Sequence, residues 1–318
     1  MAAAGPSGQG DSSLIDTTFK WLAGQFEEDY GWRAAACTVL RCAHQRVCRQ
    51  ASPAWLPFYC AEAVGCHPAR VVPVAAAWLL GYIAARLLDE VEDRDFTQEN
   101  WGGLSQAEAI NIASAFLVTI PFVLDRLQDA RISADLKADF QQAALEIALG
   151  QHADLSGWIG NGDGAIERYW QVARAKSGVL FALACRAGAR SGNPPAEILN
   201  AYADFGQTLG LLVQVCDDYR DFYGSSDLCT LQTGREVLPV VYGCSVAGPE
   251  EQVRIEHLLN QAQTDKYAAY QLRQLLDDLG ARHYLLLQVE LLGQQAEEFL
   301  QRTGAVAPEQ LLKMIPRI

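Results

Sequence analysis

An apolar run, Val71 to Leu88, ends on a short acidic stretch, Asp89-Glu90-Val91-Glu92-Asp93, and this change constrains the fold more than any other part of the chain. A segment apolar on every side must be buried in a core or span a membrane. Pro73 and Arg86 interrupt the run, and it is too short and broken for a span, so it reads as a buried core helix. More than a hundred residues later a second apolar segment ends on Asp217-Asp218-Tyr219-Arg220-Asp221. In each stretch two aspartates, Asp89 with Asp93 and Asp217 with Asp221, stand four residues apart and project from one helix face. Like charges so placed repel by about 0.2–0.5 kcal/mol in water, and by far more where apolar flanks exclude solvent. A cation removes that repulsion. Oxygen-only donors from two facing helices, Asp218 among them, suit a hard ion such as magnesium, which keeps water ligands and bridges to substrate phosphates.

Most of the remaining chain also carries helical spacing. Ser13 and Asp16 resemble a capping box, after which Leu14, Thr18, Leu22 and Phe26 recur at four-residue intervals. Ile132, Leu136, Phe140, Ala143 and Ile147 trace a buried stripe. Similar patterns cover residues 69–93, 105–128, 166–190, 196–222 and 266–301, and no long stretch alternates as a strand would. Breaks fall at Gly160 to Gly164, Asn193-Pro194-Pro195 and Gly248-Pro249, none long enough to be a domain linker. The expectation is an all-α fold, with one domain over residues 13–318 after a disordered tail of Ala, Gly and Ser over residues 1–12.

A chain of 318 residues, 50% hydrophobic, can bury a sizeable core. Its net charge of -13 argues against a nucleic-acid partner, which demands clustered Lys and Arg. Nine cysteines without an apolar signal segment at the start imply a reducing, cytoplasmic setting and no transmembrane segment. Cys37, Cys42, Cys48, Cys60 and Cys66 lack the two-residue spacing of a zinc knuckle and read as buried thiols. Gly160, Gly162 and Gly164 follow no strand and precede no Lys-Ser/Thr pair, so they read as an interhelix loop.

Lys176, one of only five lysines, sits between apolar turns in Ala175-Lys176-Ser177-Gly178. It must snorkel to solvent as a surface lysine or meet an anion, and the second reading places it in the same cavity as the carboxylates. Gln214, three residues before Asp217, stands about a turn below it and can donate a hydrogen bond there. Gly206 and Gly210, mid-helix, mark either close packing against a neighbouring helix or space left for a ligand.

The ordered series DEVED at Asp89, GQHADL at Gly150, AKSGVLFALACRAGA at Ala175, FGQTLGLLVQVCDDYRD at Phe205, and SDL followed by GREVLP at Gly234 resembles the trans-polyprenyl diphosphate synthase superfamily over about residues 55–245. That resemblance implies the isoprenoid synthase helical bundle around a deep central cavity, and class I chemistry on an allylic prenyl diphosphate. It implies magnesium, three ions with the diphosphate, held by Asp89, Asp93 and Asp217, with Asp218 and Asp221 beside them. It further implies that Lys176, Gln214 and Arg235, the last where the family usually has Lys, contact the diphosphate or the developing cation, while Arg220 is a further candidate for substrate binding. Glu90, where the family's first motif has its second Asp, and Val213, where a Phe usually precedes the Gln, are expected to be substrate-binding residues. A homodimer is implied by resemblance alone.

Chain-elongating members of that family carry a Gly-Lys-Arg segment upstream and an Arg-Arg-Gly after the first motif, which clamp the two diphosphates. Here the corresponding stretches read Ala51-Ser52-Pro53-Ala54-Trp55-Leu56-Pro57 and Phe96-Thr97-Gln98-Glu99-Asn100-Trp101-Gly102-Gly103, so both clamps are missing. Losing them forfeits several charge-assisted contacts at about 1.5–3 kcal/mol each. The favoured expectation is therefore a one-substrate enzyme that ionises a prenyl diphosphate and lets the cation cyclise or rearrange, as a terpene synthase does. The alternatives are a chain-elongating prenyltransferase and a silent subunit of a heteromeric synthase. Gly81, Ala84 and Ala85 present small groups below Asp89; by resemblance to the family, where bulky residues there shorten products, they imply room for a longer prenyl chain, and the other reading is close helix packing. Trp78, eleven residues before Asp89 and about 16 Å along the axis, is the expected floor.

Overall fold

Helix follows from the spacing almost everywhere, and the computed structural model contains no strand among the described residues, which are 9–25, 32–47, 52–156, 164–224, 237–262 and 264–317. The chain is all-α. Its contacts divide into two compact units, one built from residues 1–144, 183–203 and 300–314 and the other from residues 145–182, 204–299 and 315–318.

In the first unit α1 (Gln9–Gln25), α2 (Trp32–Val47) and α3 (Leu56–Ala63) precede α4 (Val72–Glu92), which packs chiefly against α5 (Gln106–Leu124). The apolar run is indeed the core helix: Ala75, Ala76, Ala77, Trp78, Leu79, Leu80, Ile83, Ala84 and Leu87 are all buried. Two helical stretches, Pro68–Glu92 and Glu99–Leu124, are long and apolar enough to cross a membrane, and the apolar window of the first is 67% buried inside the protein against 39% for the second. Ser105 caps α5 by accepting from the Glu108 N–H, while the Glu108 carboxylate accepts from the Ser105 N–H at 2.8 Å. α1 starts at Gln9, so residues 9–12 are helical rather than part of a tail, and the chain position of Ser13 falls within the helix rather than at its start. The reason is that Gln, Asp and Ser cost little in a helix whose later turns carry the packing face.

The second unit holds the end of α6 (Ala130–Leu155), α7 (Ala165–Ala173), the start of α8 (Val179–Arg190), most of α9 (Ala196–Tyr223), then α10 (Leu238–Val246), α11 (Pro249–Ala262), α12 (Lys266–Asp278) and α13 (Ala281–Arg302). The remaining short helix, α14 (Glu309–Lys313), belongs to the first unit. Phe222, Val240, Ile255, Leu258, Leu272 and Leu276 form a buried cluster in the second unit. The expected single helix over 266–301 is two, because Gly280 adopts φ +89°, a left-handed conformation that ends α12. The expected helix over 166–190 is interrupted by one π-helical turn, Arg174–Gly178, which contains Lys176. The breaks at Asn193 and at Gly248-Pro249 fall where the turn chemistry placed them, with Asn193 left-handed at φ 52° and Pro249 opening α11.

Candidate functional site

The first acidic end closes α4. Asp89 lies in its last turn and Asp93 is its C-cap, with the Asp93 N–H donating to the Asp89 carbonyl at 2.8 Å; both are half-buried. The Arg94 N–H donates to Val91 at 3.2 Å and the Asp95 N–H to Glu90 at 3.1 Å, with Arg94 left-handed at φ 62°. This is a Schellman closure with arginine at the position that usually takes glycine, a strain of about 1 kcal/mol.

Glu90 has a different surrounding from the one expected of a substrate contact. It is buried, and its carboxylate accepts from Trp101 Nε1 at 2.5 Å and from Arg86 Nη2 at 3.1 Å, with Arg46 Nη1 at 3.6 Å. The Arg46 guanidinium also lies 4.5 Å over the Trp101 ring. One residue on from Asp89 is a rotation of about 100° round the helix, which turns Glu90 toward α2 and the Trp101 turn. It anchors the chain that leaves the acidic end. Trp78 is wholly buried and stacks on Tyr82, ring centroids 5.1 Å apart, while a methyl group added at Gly81 would come within ordinary contact of Ile120. Ala84 is buried and Ala85 half-buried.

At the second acidic end the three aspartates differ sharply. Asp217 and Asp221 are exposed, and Arg220 Nη1 donates to Asp217 Oδ1 at 2.6 Å, so Arg220 holds a carboxylate. Asp218 is 4% exposed. Its Oδ2 accepts from the Tyr169 hydroxyl at 2.7 Å and the Leu238 N–H at 2.8 Å, and its Oδ1 from Gln214 Nε2 at 2.9 Å. Burial pushes its carboxyl up to about 6, while the bonds from Tyr169, Leu238 and Gln214 pull the other way. The Tyr169 hydroxyl is raised well above its ordinary value by burial first and by the neighbouring Asp218 charge second.

Lys176 does meet an anion: its ammonium is paired with Asp154, on the same α6 stretch as Gly150. Ser177 Oγ donates to Gln214 Oε1 at 2.7 Å, which draws Gln214 to the π turn as well as to Asp218. The two readings of the mid-helix glycines resolve to packing. A Cβ on Gly210 would strike the Ser177 carbonyl, and one on Gly206 the Phe181 carbonyl, so Gly210 is a helix-contact residue rather than a lining for substrate. Val213 is half-buried, and Arg235 lies outside the described residues.

The polyprenyl synthetase family profile matches residues 87–276, a stretch that begins just before the first acidic end and extends past the second. The chain belongs to the polyprenyl synthetase family. Its members and named relatives are enzymes of isoprenoid synthesis, and so is this one. It is 25% identical over 238 residues to the short chain isoprenyl diphosphate synthase of Methanothermobacter thermautotrophicus, covering 70% of this chain and 71% of that one. It is 24% identical over 263 residues to the geranylfarnesyl diphosphate synthase of Aeropyrum pernix, covering 76% and 79%. Among solved structures, geranylgeranyl pyrophosphate synthetase from Pyrococcus horikoshii superposes with a TM-score of 0.79 at 19% identity over 97% of this chain and 96% of that one. A polyprenyl synthase from Caulobacter crescentus, complexed with calcium and isoprenyl diphosphate, gives 0.76 at 19% identity over 98% and 97%. The trans-prenyltransferase fold expected from the motif series is therefore the fold found.

Among the described residues no cluster of three or more His, Cys, Asp and Glu side chains stands close enough to enclose an ion. Each acidic end offers a pair of carboxylates at four-residue spacing, a donor set that suits magnesium because magnesium leaves much of its shell to water and phosphate oxygen. Sequence reasoning missed Tyr169, Asp154 and the Arg46–Trp101 pair. Tyr169 had a signal, lying seven residues and two turns before Lys176 on one face. Arg46 and Trp101 had none, since only folding brings α2 to the turn after α4.

Proposed function

We propose that this polyprenyl synthetase is a chain-elongating prenyltransferase, joining an allylic prenyl diphosphate to an isopentenyl diphosphate acceptor. One observation carries the reading: the family match encloses both acidic ends, and the relatives matched over most of this chain are named as prenyl diphosphate synthases. The reading includes a single catalytic domain over residues 13–318. Asp89 and Asp93 at the first acidic end, and Asp217 and Asp221 at the second, are the proposed magnesium ligands, and Lys176, Gln214 and Arg235 the proposed diphosphate contacts. Magnesium bound there would neutralise the diphosphate as the allylic carbon-oxygen bond breaks. Arg220, paired with Asp217 and exposed, is a further proposed contact for the diphosphate. A second copy of the chain is the proposed partner. An exposed stripe on α5 supports this, with Ile110, Val118 and Phe122 on one face, Phe122 70% exposed.

The one-substrate reading is kept for a specific reason. Where the family's upstream basic clamp would stand, Ala54, Trp55 and Leu56 are buried and Ser52 caps a turn by accepting from the Ala54 N–H at 3.3 Å. That segment is core rather than an anion grip. One assay separates the two: purified protein, magnesium, and farnesyl or geranylgeranyl diphosphate, with and without isopentenyl diphosphate. A longer diphosphate that forms only with the acceptor is expected. A hydrocarbon or alcohol formed without it overturns elongation in favour of ionisation alone. Asp89→Ala and Asp217→Ala should each abolish turnover, and wild-type rates in either would remove that residue from the metal site.

A further inference from the structure

We propose that Tyr169 is a positioning residue for the second acidic end: it locks Asp218 in place so that the adjacent Asp217 is the carboxylate presented to the metal and diphosphate. The inference rests on the reading above, since it assigns roles within that same metal site.

Every donor around Asp218 comes from a different place in the second unit. Tyr169 is on α7, Leu238 opens α10, and Gln214 is one turn earlier on α9. The Leu238 contact is a helix cap supplied from elsewhere in the chain. The residue preceding α10, Val237, has no side chain able to accept, and the Asp218 carboxylate takes the orphan N–H at the positive end of that helix. With two bonds on Oδ2 and one on Oδ1, Asp218 is almost wholly buried and closed to solvent, whereas its neighbours Asp217 and Asp221 are exposed.

The network also fixes Gln214. A carboxylate only accepts, so the amide NH2 must face Asp218 and the amide oxygen must face Ser177, which donates to it at 2.7 Å. Tyr169 thereby connects, through Asp218, Gln214 and Ser177, to the π turn that carries Lys176, whose partner Asp154 lies on α6. Tyr169 is itself held. It is buried, edge-on to Trp170 at 5.3 Å, and Trp170 Nε1 donates to the Tyr284 hydroxyl at 3.3 Å. Tyr284 in turn stacks on Tyr242 of α10 with centroids 4.3 Å apart. One hydroxyl thus sets the rotation of the last turns of α9, and with it the direction of Asp217.

The test is calorimetric titration of magnesium into the full-length protein with inorganic diphosphate present, alongside steady-state rates against magnesium concentration. Tyr169→Phe removes one oxygen and keeps the ring. Outer-layer changes around metal sites typically weaken affinity 10–100-fold, so Y169F is expected to weaken magnesium about tenfold and raise its half-saturating concentration likewise. The KM for the allylic diphosphate at saturating magnesium should stay near wild type, which a general loss of fold would not allow. Asp218→Asn, which puts a donor against donors, should behave as Y169F does. Wild-type magnesium affinity in Y169F overturns the inference. So does loss of magnesium binding in D218N beside an unaffected Y169F, since Asp218 would then be a direct ligand. Should Y169F not fold, Ser177→Ala cuts the same chain at Gln214 and should weaken magnesium about threefold, an unchanged affinity again being fatal. Wild-type protein that binds no magnesium with diphosphate sinks the proposed function instead, so the two failures are distinguishable.

Discussion

The Tyr169 hydroxyl donates to Asp218 at 2.7 Å, while Asp217, one residue earlier, is exposed and paired with Arg220 at 2.6 Å. Two consecutive aspartates therefore have opposite energetics. Asp217→Ala removes an exposed ion pair and should change stability by less than about 0.5 kcal/mol. Asp218→Ala strands three buried donors at about 1–2 kcal/mol each, partly offset by relief of a desolvated charge, for a net loss of about 2 kcal/mol at neutral pH. Denaturant unfolding of the two variants checks the contrast, and equal stabilities would contradict it.

Gly206 and Gly210 allow α9 to touch the backbone of the π turn and α8. Alanine gains up to about 1 kcal/mol in helix propensity, but here its methyl meets carbonyl groups that cannot move aside, a cost of about 1–3 kcal/mol. G206A and G210A should each lower the urea midpoint. Gly81→Ala, whose methyl would meet only Ile120 at 3.6 Å, should leave it unchanged or raise it.

Glu90 is bonded to Trp101 and Arg86, with Arg46 close by. Removing one partner of a buried ion pair typically costs about 3–5 kcal/mol. Glu90→Ala should fall at the lower end, about 3 kcal/mol, because Arg86 is half exposed and can rehydrate. Thermal or chemical unfolding measures this directly, and a loss under about 1 kcal/mol would show that Glu90 is no anchor.

Trp78 is wholly buried against Tyr82. Trp78→Ala should cost about 3–5 kcal/mol and, if Trp78 is the floor of the prenyl site, lengthen the product. Chromatography of the reaction products decides, and an unchanged chain length rejects Trp78 as the floor whatever the stability loss.

Hydrogen bonds from the Ser105 side chain, and then from its backbone, hold the Glu108 carboxyl below its ordinary 4.5. The folded protein therefore binds fewer protons at Glu108 than the unfolded chain does, and the stability this contributes is complete above that value and lost as pH falls below it. Ser105→Ala should cost about 1 kcal/mol near neutral pH and make the acid limb of the stability curve shallower. A parallel pH profile for wild type and S105A would show that the capping box does not titrate in this way.

Much of this enzyme was legible because local chemistry and tertiary packing agree. The apolar run before Asp89 is the core helix, and the Asn193 and Gly248-Pro249 breaks fall at helix ends, since each depends on the residues alone. Gly280 was overlooked because helical periodicity continues on both sides of it, and only its left-handed φ divides α12 from α13. Residues 9–12 looked like tail by composition, yet a helix extends cheaply once its later turns are packed.

Charge and spacing in the sequence by themselves determined the all-helical class and the two acidic ends with Asp89, Asp93, Asp217 and Asp221 in register on their helices, and the likeness of the ordered motifs to a known family pointed to the family. Periodicity places a residue on a helix face and no further. That Glu90 anchors a loop, that Gly210 is a contact and that Asp218 is a buried cap answering to Tyr169 were decided only by tertiary structure. Arg86 and Gln214 act from one turn away on the same helices, but the other partners that assign those roles, Trp101 to Glu90, Ser177 to Gly210, and Leu238 and Tyr169 to Asp218, lie far along the chain, and only folding brings them within reach.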